Sequence, residues 1–316
     1  MTIFAENILY ETASASDSTA GTLSGDLIES GIAGELFGRI SADTFVNGGL
    51  VLKKGFIRFD VATQVTQASL GLGNTINAPA GTVIALYQGA DGTNSTGANG
   101  GAMVVGRLAA NLTSGANYLD LTLDKPLSYF GGWQNGATLF SDYNHTHLAT
   151  TGAPADQGNG VWRFNLAAAY SGPAIAQNRL LCQEITVTGQ QPRIVSLINY
   201  TGLTLDQSQV SVGSRGSVHD VITLTFTDSQ AFTITSQLYG ALGSGATTID
   251  TQIINPVSGA VMLTIPAAAW SGTAYSGDTI DIEIAPSSLA FFVGIDIPAG
   301  ATEQNIQFDF YHDVLG

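Results

Sequence analysis

Apolar and polar positions alternate in short runs through most of this chain. Within 221–227, Ile222, Leu224 and Phe226 fall on one side and Thr223, Thr225 and Thr227 on the other, the period of a strand with one face in a core. Ile280, Ile282 and Ile284 repeat the pattern with Asp281 and Glu283 turned to water, and Leu119, Leu121 and Leu123 do so against Asp120 and Thr122. Further strands are expected at 50–59, 82–87, 102–108, 161–164, within 180–205, and at 306–310, where Phe308 and Phe310 oppose Gln307 and Asp309. Leu36, Phe37 and Ile40 suggest a short helical turn. In the last third, Gly240, Gly243, Gly245, Pro256, Gly259, Pro266, Gly272 and Gly277 are spaced like the turns of an antiparallel sandwich, not like the crossovers of a parallel sheet. The pattern predicts an all-β fold of antiparallel β-sandwich domains with long loops.

Three parts are expected. Residues 1–33 are rich in Ser, Thr, Ala and Gly with only short apolar runs, and read either as an extended arm lying on a neighbouring subunit or as a disordered tail. Residues 34–205 read as a β-rich domain with long loops. Residues 206–316, entered through the polar run 204–218, have the size and strand content of an immunoglobulin-like sandwich.

Composition narrows the function. Of 316 residues, 44% are hydrophobic and 11% charged, the reverse of a disordered chain, and so low a charge suits a surface covered by neighbouring subunits. The net charge is −15, and the few Lys and Arg are scattered. Nucleic acid and anionic membrane are therefore not expected partners, because both need clustered cations. The opening residues have no basic segment followed by an unbroken apolar one, so synthesis in a cytoplasm, without export as a single chain, is expected.

Candidate chemistry is sparse. The run 129–160 is long, aromatic and turn-rich, and Trp133, Phe140 and Tyr143 in it either stack on a sugar ring or partner or pack the loop on its own sheet. His145 and His147 have the one metal-like spacing, since i and i+2 share a face on a strand. Lys53, Lys54 and Arg58 form the only dense cationic cluster, read as a solvated or subunit-facing edge strand, with an anion site as the sharper alternative. The loop 89–101 holds Asp91, Asn94 and Asn99 without the regular acidic spacing of a calcium loop. Cys182, the one cysteine, lies in an apolar run and reads as a buried inert thiol. No nucleophile elbow, phosphate loop or dinucleotide fingerprint is present. His219 and Asp220 are neighbours in sequence, as are His312 and Asp313, but strand neighbours point to opposite faces. A glycan-degrading enzyme would need two carboxylates together, with Glu184, Asp142 and Asp156 as nearest candidates. No enzyme activity and no cofactor are expected.

Two blocks carry a resemblance. GELFGRIS at 34–41 with LVLKKGFI at 50–57 is similar to a pattern in a group of structural proteins from tailed bacteriophages. There a leucine-phenylalanine motif precedes a strand of the form leucine-x-leucine-arginine-or-lysine-lysine. ITLTFTDSQAFTITSQLYGALGSG, LTIPAAAWSGTAYSGDTIDIEIAP and IPAGA at 297–301 resemble a second block of the same group. The Gly-rich middle of the chain has no counterpart in it. The resemblance implies a virion component of tail, baseplate or neck, present in symmetric copies. Its partners would be other virion proteins and copies of itself, and it would be assembled in the host cytoplasm. A capsid decoration protein is one alternative, and a carbohydrate- or receptor-binding module using 129–160 on a host surface glycan is another.

Overall fold

The computed structural model describes residues 8–13, 23–27, 40–59, 65–76, 78–89, 98–99, 101–131, 133–141, 143–200, 202–303 and 306–315. The fold is all-β, built of antiparallel sheets with a small six-stranded barrel. Residues 90–97 and 100 of the loop lie outside the described residues, as does 1–33 except for the strands Ile8–Ala13 and Leu23–Leu27.

The strand Gly49–Phe59 lies inside a six-stranded sheet, between Ile8–Ala13 and Ser288–Ile297, with Val83–Gly89 beyond the latter. The edge expected for the lysines is therefore corrected: they sit on an interior strand. Lys54 is 1% exposed, its ammonium 5.1 Å from the centre of the Phe56 ring and 5.7 Å from that of Phe292, so its charge rests against aromatic faces. Beside it, a Cβ on Gly55 would stand 2.7 Å from Cζ of Phe291, and glycine lets that ring cross the strand. Phe291 in turn meets Phe310 edge-on at 5.2 Å. Phe310 belongs to Gln307–Leu315, which pairs with Val65–Ile76 in a three-stranded sheet completed by Ile185–Gln190. One core runs through both sheets and the barrel.

The barrel closes in the order Thr146–Gly158, Val161–Leu166, Tyr118–Thr122, Val105–Leu108, Leu180–Gln183, Thr138–Ser141, the last pairing back to the first. Closure leaves no edge strand exposed. Leu119 and Leu121 point in, at 2% and 0% exposure, and Tyr118 and Asp120 point out, as the alternation requires. The loop after Tyr118–Thr122 is tied to the six-stranded sheet by Lys125, whose Nζ meets Asp296 Oδ2 at 2.9 Å and lies 5.5 Å from the centre of the Tyr129 ring. Burial pushes the Tyr87 and Tyr129 hydroxyls above the ordinary phenol range.

A second core forms a sandwich. One sheet has the order Arg193–Asn199, Thr279–Ala285, Asp220–Phe226, Ala231–Ser236, Gly240–Ala246. The other strands are Ser211–Val212, Val261–Ile265 and Thr251–Ile254, with the pair Leu203–Leu205 and Trp270–Gly272. Ile222, Leu224, Phe226, Ile280, Ile282 and Ile284 fill its core at 0–1% exposure. The pairings are nested: 193–199 with 279–285 encloses 203–205 with 270–272, which encloses 211–212 with 261–265. Residues 206–316, expected as one unit, are divided by this pairing. Strands Ser288–Ile297 and Gln307–Leu315 belong to the first core's sheets, while Arg193–Asn199 joins the sandwich. Periodicity identifies a strand but not its partner, and the partner decides the unit.

A fragment of residues 192–287 should unfold cooperatively and show near-ultraviolet dichroism from Trp270, which packs against Phe226 and Phe232. A chain ended at residue 286 should keep that signal but lose the first core, because the strand between Gly49–Phe59 and Val83–Gly89 is gone. Stability should also fall in acid. Gln209 and Ser208 hydrogen-bond the Asp206 carboxylate, and the Ala231 and Gln230 amides bond that of Asp228, holding both below the ordinary value of 3.8. A depressed folded value stabilises the fold above the unfolded one, and this stabilisation is lost as pH falls through the folded value. The melting temperature of the 192–287 fragment should therefore drop below about pH 4, and less so in Asp228→Asn.

Candidate functional site

The stretch 129–160 supplies two barrel strands and the turn between them, and most of its aromatic rings serve the core. Phe140 is 3% exposed, surrounded by His147, Tyr311 and His145 at ring distances of 5.2, 5.7 and 6.2 Å. A Cβ on Gly71 would lie 2.7 Å from this ring, so Phe140 sits flat on that strand and offers no face to a ligand. Trp133 is half-buried, edge-on to Phe164 at 5.0 Å, with its Nε1 buried and, among the described residues, without a hydrogen-bond partner. Tyr143 is also half-buried and lies under the Arg179 guanidinium at 5.4 Å. These rings pack the loop on its own sheet.

The two histidines do not share a strand face. His145 ends the 3-10 turn Tyr143–His145 with φ of 47° and stands edge-on to Tyr311 at 5.8 Å. His147 opens onto the barrel strand and pairs in register with Phe140. Its Nδ1 lies 2.7 Å from Oε1 of Glu184, whose side chain is 4% exposed. Among the described residues, no three His, Cys, Asp or Glu side chains are grouped as metal ligands.

Glu184 occupies a corner. The chain leaves the barrel at Leu180–Gln183 and enters the three-stranded sheet at Ile185–Gln190, and Glu184 between them is fixed by its N–H to the Thr138 carbonyl at 3.0 Å. At this corner lies a cleft of about 420 Å³. Ser69, Met103, Gln183 and Glu184 form its buried floor, and Gln67, Gln134, His147 and Thr186 its exposed rim. Of the carboxylates expected to gather for glycan cleavage, Asp142 lies outside the described residues. Asp156 is exposed and accepts from the Gly158 amide at 2.7 Å. Among the described residues, Glu184 meets a histidine and not a second carboxylate. Gln67, Ser69 and Gln183 carry no motif, and no sequence signal marks them. Cys182 is 2% exposed, with Sγ 2.9 Å from the Leu72 amide that donates to it.

In the sandwich, His219 stands just before the strand Asp220–Phe226 and its Nε2 lies 3.0 Å from Oε1 of Glu283, while Asp220 accepts from the Ser236 hydroxyl. Ser196 Oγ donates to the other oxygen at 2.9 Å. The serine thus bonds the carboxylate and not the imidazole, which is not the arrangement that activates a nucleophile.

The fold and these clusters define an all-β protein of antiparallel sheets. No family model matches the chain, and no curated protein matches it in sequence. Among solved structures, the crystal structure of Xanthomonas campestris FlgL is similar over 34% of this chain and 31% of that one, at 14% identity and a TM-score of 0.21. The match thus spans about a third of that protein's length, and at this score the likeness identifies neither a shared fold nor a shared role.

His147→Ala should lower stability by about 1–3 kcal/mol in urea unfolding, because it leaves the Glu184 carboxylate buried without its partner. Adding Glu184→Gln should recover part of that loss. In the parent protein, Cys182 should react with a thiol reagent only as fast as the chain unfolds; a fast phase in native buffer would contradict its burial.

Proposed function

We propose that the protein is a non-enzymatic structural component of a tailed-bacteriophage virion, in its tail, baseplate or neck. It works as a symmetric multimer built through its β-sheet faces and edges, with other virion proteins and copies of itself as partners, and is assembled in the host cytoplasm. The observation that carries this reading is that segments bearing the resemblance, far apart in sequence, meet in space. Helix Ala42–Asn47, capped by Ser41, ends at Gly48, whose φ is +74°. A Cβ there would lie 2.7 Å from the Ala299 nitrogen, so only glycine lets the 297–301 turn approach. The Gly300 amide donates to the Val46 carbonyl at 3.0 Å. Gly49–Phe59 then pairs with Ser288–Ile297 over ten residue pairs. The parts of the resemblance at 50–57 and 297–301 thus fall on one packed element, joined by the helix between Ser41 and Gly48, while 34–39 lie outside the described residues.

Sparse charge and apolar side chains left exposed on the sandwich, among them Ile198, Tyr200, Val257 and Tyr275, are what a subunit covered by neighbours presents. The edges at Leu23–Leu27, Gly240–Ala246 and Arg193–Asn199 would be protected in such a multimer. Receptor binding through 129–160 draws less support, because Phe140 is buried and Trp133 is packed against Phe164.

Light scattering at micromolar concentration, with electron microscopy of the same sample, tests the proposal. Rings or a defined multimer are expected. A chain that stays monomeric across the concentration range, and enters no particle when added to a lysate of assembling virions, would sink it.

A further inference from the structure

We propose that the cleft at Glu184 binds a neutral saccharide unit. This is a site separate from the subunit contacts above and from the Trp133, Phe140 and Tyr143 rings, none of which lines the cleft. Three parts of the fold converge on it: Gln67 and Ser69 from the three-stranded sheet, Gln88 from the six-stranded sheet, and Gln134, His147 and Gln183 with Glu184 from the barrel side. A cleft of about 420 Å³ falls in the lower part of the roughly 300–1,000 Å³ usual for small-molecule sites, a size suited to a mono- or disaccharide.

The lining chemistry selects the ligand class. Among the described residues no Lys or Arg faces the cleft and a carboxylate does, which disfavours phosphate, sulfate and carboxylate ligands. A free cation is disfavoured too, because the His147 imidazole already engages Glu184 at 2.7 Å and, among the described residues, no further acidic group lines the cleft. An apolar ligand would desolvate four glutamine amides, Gln67, Gln88, Gln134 and Gln183, without replacing their hydrogen bonds. Each amide both donates and accepts, the carboxylate accepts, and the Ser69 and Thr186 hydroxyls do both. A ligand whose hydroxyls also donate and accept matches that set, and a sugar is the common neutral molecule of this kind. Ser69 Oγ and Thr186 Oγ1, 3.2 Å apart, place two such groups within reach of adjacent hydroxyls.

The full chain is titrated with glucose, galactose, N-acetylglucosamine, lactose and cellobiose, read by saturation-transfer NMR, with inorganic phosphate and methylammonium as competitors. Saturable binding of at least one sugar is expected, undisturbed by either competitor. The double variant Gln67→Ala, Gln134→Ala changes only exposed rim residues, so its melting temperature should match the parent's while its affinity falls about tenfold. Tyr143→Ala should bind as the parent does. The proposal is overturned if no sugar saturates, if the rim variant binds as well as the parent, if Tyr143→Ala abolishes binding, or if phosphate or methylammonium displaces the sugar.

Discussion

The pairing of Gly49–Phe59 with Ser288–Ile297 is the constraint on which the first core depends. It joins segments near the two ends of the chain, and both of its faces are covered, one by the Phe291 and Phe310 contact and the other around Lys54, Phe56 and Phe292. Closing so long a loop costs entropy that grows only slowly with length. The inserted sandwich reduces that cost further, because Arg193 and Ala285 are register partners. The insert enters and leaves at adjacent points, so once folded it behaves as a short link between Gln190 and Ser288. The architecture therefore suits a sandwich that forms locally before the terminal strands find each other.

Buried polar groups fix how the parts of the first core meet. Apolar packing alone tolerates sliding, whereas a buried hydroxyl or charge without its partner is costly. The Lys125 and Asp296 ion pair sets the loop after Tyr118–Thr122 against the sheet, and the Glu184 corner fixes another side of the barrel through His147. In the sandwich, buried Asp220 plays the same part, accepting from the Val221 amide at 2.8 Å, from the Leu238 amide at 3.2 Å and from the Ser236 hydroxyl. Aspartate there closes the turn after Ala231–Ser236 onto the neighbouring strand.

The polar cleft arises from this construction. A chain leaving a closed barrel for a separate sheet must bend, and at the bend the side chains of 183 and 184 face a gap between layers, not a core. Sequence reading reached Glu184 only as a stray carboxylate and missed its glutamine neighbours, because amides from 67, 88, 134 and 183 share no spacing. It singled out Trp133, Phe140 and Tyr143 as candidate binding rings and His145 and His147 as candidate metal ligands, and where each of them sits turned on packing. Phe140 faces inward on its strand, and the 3-10 turn at Tyr143–His145 takes His145 off the register of His147.

By itself the sequence determined the secondary structure class and much of the core. Alternation at Ile222, Leu224 and Phe226, at Ile280, Ile282 and Ile284, and at Leu119 and Leu121 is a local property, and burial follows it. Only the tertiary structure decided which strands are neighbours: that Lys54 is interior, that the barrel closes, that the last two strands return to the first core, and that Glu184 meets His147. A period-2 pattern says which face of a strand is apolar and nothing about which strand lies beside it, and every one of those outcomes is a matter of pairing between residues distant in the chain.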